Sequence, residues 1–162
     1  MLSGQVRCLD KVALLIGNKQ YRLEKYRNLK TPETDISDLT HILTSLNFKC
    51  VSLINLTKDE VDQAFQYFLT LLGPGVYALF FFAGHGFEMA HSQYLMGTEA
   101  SAHHNPNLCI CAHSLKEKMK EVGAKLSILL LDMCRERINV DPKTPSAYPV
   151  FLILSRKPFH QL

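Results

Sequence analysis

Two short apolar runs in this chain each lead into a side chain capable of nucleophilic or acid–base chemistry. Residues 76–83 are followed by Gly84-His85-Gly86, and residues 126–132 are followed by Met133-Cys134. If both runs are strands of one parallel sheet, their carboxyl ends open on the same rim, where α/β proteins place their sites. The histidine and the cysteine would then meet there, and this pairing is what activates a thiol nucleophile.

The pair predicts attack of a thiol on an amide carbonyl. The thiol of Cys134 reacts as the thiolate, and one imidazole, that of His85, can take its proton and later protonate the leaving amine. The developing oxyanion needs N–H donors, and the backbone N–H groups of Gly86 and Cys134 are the candidates. The residues alone leave a purely structural alternative open, because free cysteines are often simply buried and a Gly-His-Gly segment is often only a turn.

Two carboxylates are expected near the same rim. Asp132 lies two residues before Cys134, at the end of its strand, and Asp35 begins a helix, where the helix dipole favours a carboxylate in any case. If both line the site, the pocket is anionic and prefers a basic substrate residue. The residue types alone leave this undecided.

A second group of histidines and cysteines has zinc-type ligands but not the usual spacing. Its members are His103, His104, Cys109, Cys111 and His113. A Cys-x-Cys gap is shorter than the usual gap between zinc ligands, and Asn105-Pro106 interrupts the group. The sequence therefore favours a loop followed by an edge strand, and neither a metal nor a cofactor is predicted.

Bulk composition indicates one globular domain. The chain has 162 residues, which is enough for a real core, and its net charge of +3 is too small to indicate nucleic acid or a membrane surface. No apolar stretch is long enough to span a bilayer, and the N-terminus does not read as a signal peptide. Five cysteines without framework spacing predict free thiols in a cytoplasmic setting.

Strand and helix patterns alternate along the chain, which predicts an α/β fold with a mostly parallel sheet. The predicted strands are 11–17, 49–56, 76–83 and 127–132, with a short piece at 93–96 and a further strand at 150–154. Residues 20–30 and 135–146 are predicted to be loops.

Three helices connect these strands. Thr31-Pro32 predicts a cap and a first helical position for a helix with Ile36, Leu39, Leu43 and Leu46 inward. The capping boxes Thr57–Glu60 and Ser114–Glu117 predict two more helix starts, with ends at about Leu72 and Gly123.

At these residues the chain resembles a caspase-type cysteine peptidase, specifically an animal paracaspase. The resembling segments are residues 11–18, 48–53, 75–77, 83–86 and 130–135, spread over Lys11 to Arg137. The pentapeptide around the cysteine, Asp-Met-Cys-Arg-Glu, departs from the caspase pattern Gln-Ala-Cys-x-Gly and fits a paracaspase better.

The resemblance implies a three-layer caspase-like sandwich and cleavage of proteins after arginine. It implies that His85 and Cys134 form the catalytic dyad, that the N–H groups of Gly86 and Cys134 bind the oxyanion, and that Asp35 and Asp132 read the arginine. Proteolysis in immune, NF-κB-type signalling, a cytoplasmic location with the nucleus as a second one, and a homodimer or signalling adaptors as partners are further implications.

The family's catalytic domain continues with a small-subunit portion, whereas this chain ends at Leu162. We therefore expect an N-terminal extension (1–10), a large-subunit domain (11–138) and a divergent tail (139–162), with the domain truncated after its large-subunit portion. The alternative function is a catalytically incompetent module that binds partners through an open edge of its last strand.

Overall fold

The computed structural model describes residues 10–137 and 150–156, with side chains described for residues 10–133. The strands are β1 (Asp10–Gly17), β2 (Lys49–Ile54), β3 (Val76–Met89), β4 (Ser92–Leu95), β5 (Ile110–Cys111), β6 (Leu126–Arg137) and β7 (Val150–Arg156). The helices are α1 (Pro32–Ser45), α2 (Lys58–Thr70) and α3 (Ala112–Glu121), with a short 3₁₀ helix at Pro106–Leu108. The N-terminal extension and most of the predicted tail lie outside the described residues.

One seven-stranded sheet organises the chain. Strands β2, β1, β3 and β6 are neighbours in that order and are parallel, which confirms the predicted α/β sheet. Strand β7 is antiparallel to β6, and β4 and β5 extend the sheet from the upper part of β3 with antiparallel pairing. Strand β3 is therefore the central strand, and it carries His85.

Helices cover both faces of the sheet, which gives the predicted three layers. The alternation of side chains along a strand sends alternate residues to opposite faces. On one face, α1 packs through Ile36 and Leu43 against residues that include Phe81 and Ala83. On the other face, α2 and α3 pack against a larger apolar cluster built around Phe80 and Phe82.

Local sequence signals explain two helix starts and mislead at a third. The capping box of α2 is confirmed, since Thr57 accepts from the Glu60 N–H and the Glu60 carboxylate accepts from the Thr57 N–H. Pro32 occupies the first turn of α1, but the predicted Thr31 side-chain cap is absent. Helix α3 begins at Ala112, so the predicted capping box at Ser114 is wrong.

Both site-bearing strands are longer than the sequence predicted. Strand β3 runs through the Gly-His-Gly segment to Met89, and β6 runs past Cys134 to Arg137, within the predicted loop 135–146. These strands pair with each other as far as Glu88 and Arg137, so the Gly-His-Gly segment is part of a strand and residues 135–137 are not the predicted loop. The predicted inward position of Leu46 is also wrong, because Leu46 follows the end of α1 and is 52% exposed.

The edge of β6 is covered over much of its length. Residues Leu126–Asp132 pair with β7, and β7 pairs with β6 alone among the described strands, so the open edge on this side of the sheet belongs to β7. The predicted strand at 150–154 is present within β7. None of the helices in the described part of the chain is long and apolar enough to cross a membrane.

Candidate active site

The sheet register places His85 beside Cys134. The two residues are direct partners on the neighbouring parallel strands β3 and β6, as Ala83 and Asp132 are two positions earlier. Neighbouring strands in a sheet lie about 5 Å apart, so the two backbones are within reach of a shared side-chain contact. The structure thus brings together the backbones of the two residues that the sequence predicted to meet, although neither residue ends its strand.

The His85 ring is held by the loop that connects β1 to α1. Its Nε2 lies 2.8 Å from the carbonyl oxygen of Arg27. A carbonyl oxygen only accepts, so Nε2 carries the hydrogen in this bond. In the neutral ring the lone pair is then on Nδ1, which makes Nδ1 the nitrogen able to accept a proton.

That loop is closed on itself, and it also contacts the backbone of His85. The Leu29 N–H donates to the Lys19 carbonyl at 2.9 Å, which joins the two ends of the loop. Within it, Tyr21 is buried, and its hydroxyl oxygen accepts from the His85 backbone N–H at 2.7 Å. The sequence of residues 20–30 predicts only a polar loop, and nothing in it marks Tyr21 or Arg27 as part of the site.

The two glycines beside His85 are required by space. A Cβ on Gly86 would lie 2.3 Å from the Met133 sulfur and 2.8 Å from the Tyr94 carbonyl oxygen. A Cβ on Gly84 would lie 2.8 Å from the Tyr21 hydroxyl oxygen. Neither glycine has a positive φ, so close packing of β3 against its neighbours explains both.

The backbone N–H of Gly86, a predicted oxyanion donor, is directed toward β6. The Met96 N–H donates to the His85 carbonyl at 3.1 Å, while Gly86 is the direct partner of Leu95. In an antiparallel ladder this combination makes Gly86 and Leu95 a non-hydrogen-bonded pair, whose N–H and C=O groups point away from each other. The Gly86 N–H therefore faces the strand that carries Cys134.

The predicted pair of carboxylates lies on the same face of the sheet as His85. Asp132 follows Ile128 and Leu130 along β6, on the face covered by α1, and Asp35 lies in the first turn of α1. Partial burial raises the pKa of the Asp132 carboxyl, and the nearby Asp35 carboxylate raises it further. The Asp35 and Asp132 carboxyls are therefore near enough to influence each other, and Asp132 is the register partner of Ala83, two positions before His85.

A cleft of about 260 Å³ opens beside the histidine. It is lined by residues from the β1–α1 loop, from β3 and from the segment after β4, namely Lys25, Tyr26, Arg27, His85, Gly86, Met96 and His104. Neither Asp35 nor Asp132 lines this cleft.

The second group of histidines and cysteines is not assembled as a metal site. The His104 ring packs edge-on against Phe87, with ring centroids 5.0 Å apart, and Cys111 pairs with Tyr94 in the sheet. Cys109 is buried, which raises the pKa of its thiol to about 11, with a further contribution from Glu99. Among the described side chains, no three histidine, cysteine or acidic residues lie close enough to hold a metal ion.

A buried asparagine, Asn18, which no sequence pattern marks as important, connects the strands that carry the site. The Asn18 side chain donates to the carbonyls of Leu56 and Met96 and accepts from the Leu56 N–H, at 2.8 to 3.1 Å. Its backbone N–H donates to Ala83. Asn18 thereby joins the end of β1 and the middle of β3 to the segments that follow β2 and β4.

Fold and site together define a caspase-type α/β domain. The model of the caspase domain family matches residues 10–156, and the chain belongs to this family of cysteine peptidases.

Two curated relatives identify the branch of the family as the paracaspases. The chain is 41% identical over 136 residues to mucosa-associated lymphoid tissue lymphoma translocation protein 1 of Homo sapiens, and 40% identical over 143 residues to its homolog in Mus musculus. These alignments cover 84% and 88% of the chain but only 16% and 17% of the relatives. The chain therefore spans about a sixth of the length of these proteins.

Proposed function

We propose that this chain is a cysteine endopeptidase that cleaves proteins after arginine, with Cys134 as nucleophile and His85 as acid and base. The observation that carries the proposal is the register of β3 and β6, which makes these two residues direct neighbours. Membership of the caspase domain family supports the thiol chemistry.

The hydrogen bonding of His85 assigns the proton transfers in this proposal. With Nε2–H donating to the Arg27 carbonyl, Nδ1 accepts the proton of the Cys134 thiol. The thiolate sulfur attacks the substrate carbonyl carbon, and the carbonyl oxygen becomes an oxyanion. When the C–N bond breaks, Nδ1–H protonates the leaving amine and a thioester remains. His85 then takes a proton from water, whose oxygen attacks the thioester and releases the acid and the thiol.

The carboxylate pair supports arginine as the residue before the scissile bond. Partial burial raises the pKa of Asp132, and the Asp35 carboxylate raises it further, as expected of two like charges near each other. A guanidinium placed between the carboxylates would relieve this repulsion, and its planar fork suits carboxylate oxygens better than an ammonium does. We infer a preference for arginine over lysine, and little cleavage after a neutral or acidic residue.

Hydrolysis of fluorogenic peptides tests the proposal. Matched peptides that differ only in having arginine, lysine or aspartate before the fluorophore are compared with wild type, Cys134→Ala and Cys50→Ala. Cys50 is a free thiol on β2, away from His85, so its variant is the matched control. We expect arginine-specific hydrolysis by wild type and Cys50→Ala, and none by Cys134→Ala. Equal rates for all three proteins would refute the proposal.

Thiol reactivity gives a second test that does not depend on turnover. Burial raises the pKa of both the Cys50 and the Cys109 thiols, so these two should react slowly with iodoacetamide at neutral pH. Cys134, if it pairs with His85, should be alkylated first, which peptide mass spectrometry can measure. Fast alkylation of Cys134 without hydrolysis would instead support the non-cleaving binding module.

The cellular role follows the resemblance to paracaspases and is part of the proposal. It includes arginine-containing protein substrates, cytoplasmic signalling, and a homodimer or signalling adaptors as partners. Size-exclusion chromatography with light scattering, on the chain alone, tests the dimer.

A further inference from the structure

Strand β3 has a gap in its backbone pairing at the position of His85. On that side of β3, the pairing with β1 ends where Gly17 meets Ala83, and the pairing with β4 begins at Gly86. The His85 carbonyl is paired with the segment that follows β4, since it accepts a hydrogen bond from the Met96 N–H. The His85 N–H falls between the two strands, at a point where neither supplies a carbonyl.

The hydroxyl of Tyr21 fills this gap. Its oxygen accepts from the His85 N–H at 2.7 Å, so a side chain takes the place of the missing strand carbonyl. The Tyr21 ring also lies edge-on to the imidazole, with centroids 4.6 Å apart and an angle of 64° between the planes. One side chain therefore contacts both the backbone and the ring of His85.

Tyr21 is itself fixed in the loop that contacts the imidazole. Its backbone N–H donates to the Asn28 side-chain oxygen at 3.1 Å, and Arg27, the residue before Asn28, supplies the carbonyl that accepts from His85 Nε2. The backbone N–H and the ring Nε2 of His85 thus both donate hydrogen bonds to the same closed loop. A shift of β3 relative to that loop would disturb both contacts together.

We propose that Tyr21 is a positioning residue for the His85–Cys134 pair, acting through the His85 backbone N–H and the edge of its ring. This inference rests on the proposed function, because it concerns the same histidine. Reactive geometry is sensitive to displacements of about 1 Å, so losing one anchor of His85 should slow the chemical step more than it weakens substrate binding.

The chain offers a close control in Tyr26. Tyr21 and Tyr26 are 8% and 7% exposed, and both rings contact the imidazole. The Tyr26 hydroxyl, however, donates to the Ser101 carbonyl at 2.8 Å and not to any atom of His85. Replacing either tyrosine by phenylalanine keeps the ring and removes one buried hydroxyl, but only Tyr21→Phe removes the acceptor of the His85 N–H.

The test compares wild type, Tyr21→Phe, Tyr26→Phe and His85→Ala in the full chain. The measurements are the alkylation rate of Cys134, the ring C–H resonances of His85 in NMR spectra, the melting temperature, and kcat and KM for the arginine peptide. For Tyr21→Phe we expect the alkylation rate and kcat to fall about tenfold, with KM little changed and the His85 resonances shifted. For Tyr26→Phe the His85 ring resonances should stay close to their wild-type positions.

Three results would overturn the inference, and they can be told apart. If His85→Ala slows alkylation but Tyr21→Phe does not, the catalytic pair stands and the positioning role fails. If His85→Ala leaves the rate of Cys134 unchanged, the pair itself fails and the role of Tyr21 fails with it. Parallel losses in both tyrosine variants that follow their melting temperatures would show that Tyr21 only stabilises the fold.

Discussion

Asn18 connects the parts of the sheet on which the site depends. Its side chain makes three hydrogen bonds, two to Leu56 and one to Met96, and no part of it is exposed. A buried amide whose hydrogen-bonding groups are all paired stabilises one arrangement of its neighbours. Removing it leaves its hydrogen-bond partners buried with neither a protein partner nor water. The Asn18 side chain therefore links the segments after β2 and β4 to each other.

We predict that Asn18→Ala lowers the free energy of unfolding by roughly 2–4 kcal/mol, because buried partners are left unsatisfied. Urea unfolding followed by circular dichroism measures the change. Asn107→Ala is the control, since Asn107 is exposed on the 3₁₀ helix. A loss no larger than that of the control would show that the Asn18 bonds contribute little.

The carboxylate pair makes stability depend on pH. The folded chain raises the pKa of Asp132 above its usual 3.8, so the folded state holds this proton more tightly than the unfolded state does. Stability associated with the proton is present at low pH and is lost as pH rises through the raised pKa. Ionisation of Asp132 at neutral pH is thus a cost that the fold tolerates.

Asp132→Asn should therefore be more stable than wild type at pH 7, by less than about 1 kcal/mol because the group is partly exposed. The difference should shrink as pH falls toward 4. Urea midpoints from pH 4 to 7 measure it, with Asp38→Asn, an exposed carboxyl on α1, as the control.

In the hydrolysis assay the same Asp132→Asn variant should lose on the order of 10- to 100-fold in kcat/KM for arginine peptides. An Asp132→Asn variant less stable than wild type at pH 7 would contradict the cost assigned to ionised Asp132. Unchanged cleavage of arginine peptides would contradict its role in arginine binding.

At the scale of elements, the path of β3 through Gly84-His85-Gly86 gives the site its register. Strand formers are absent from this tripeptide, so its extended conformation depends on its neighbours in the sheet. Gly86 allows β3 to approach both Met133 and the Tyr94 carbonyl. A side chain there would have to separate strands that place His85 beside Cys134.

Gly86→Ala should consequently destabilise the chain by about 1–3 kcal/mol, as overpacking does. It should also slow any reaction that needs the His85–Cys134 register. Gly73→Ala is the matched control, because nothing lies within 4 Å of an added Cβ there. The two variants can be compared by thermal unfolding and by the alkylation rate of Cys134. Similar melting temperatures and alkylation rates for the two variants would show that β3 accommodates a side chain at position 86 without losing its register.

The strands and helices also show how much of the fold sequence patterns can predict. The apolar runs of β3 and β6 predicted their parallel pairing, because buried parallel strands are short and continuously apolar. The two capping signatures were equally good in sequence, yet only Thr57–Glu60 begins a helix. Helix α3 starts directly after β5, which places Ser114 inside its first turn. Sheet connectivity, and not local propensity, decided that helix start.

The parts of the site contributed by the β1–α1 loop were beyond prediction for a different reason. Tyr21 and Arg27 contact His85 across a long separation in sequence, and no periodic pattern marks a loop residue as facing a distant strand. The chemistry-bearing residues could be named from the sequence because their types are reactive. The residues that orient them became visible only through distances.

At the scale of the whole molecule, β7 determines how the sheet ends on the β6 side. It pairs antiparallel with Leu126–Asp132, the part of β6 that lies below the site. Without it, β6 would expose a row of unpaired backbone groups next to the buried Leu129 and Leu131. Such an edge is a template for pairing with another chain.

A chain ending at residue 149 should therefore self-associate or lose stability, whereas one ending at residue 156 should behave as the full chain does. Light scattering coupled to size-exclusion chromatography, over a tenfold range of concentration, measures association, and thermal unfolding measures stability. Because β6 also carries Asp132 beside the site, the shorter chain should lose arginine-peptide hydrolysis together with its fold. If the chain without β7 is monomeric and as stable as the full chain, β6 needs no strand on its second edge. The pairing of β6 with β3 would then be enough to form the site.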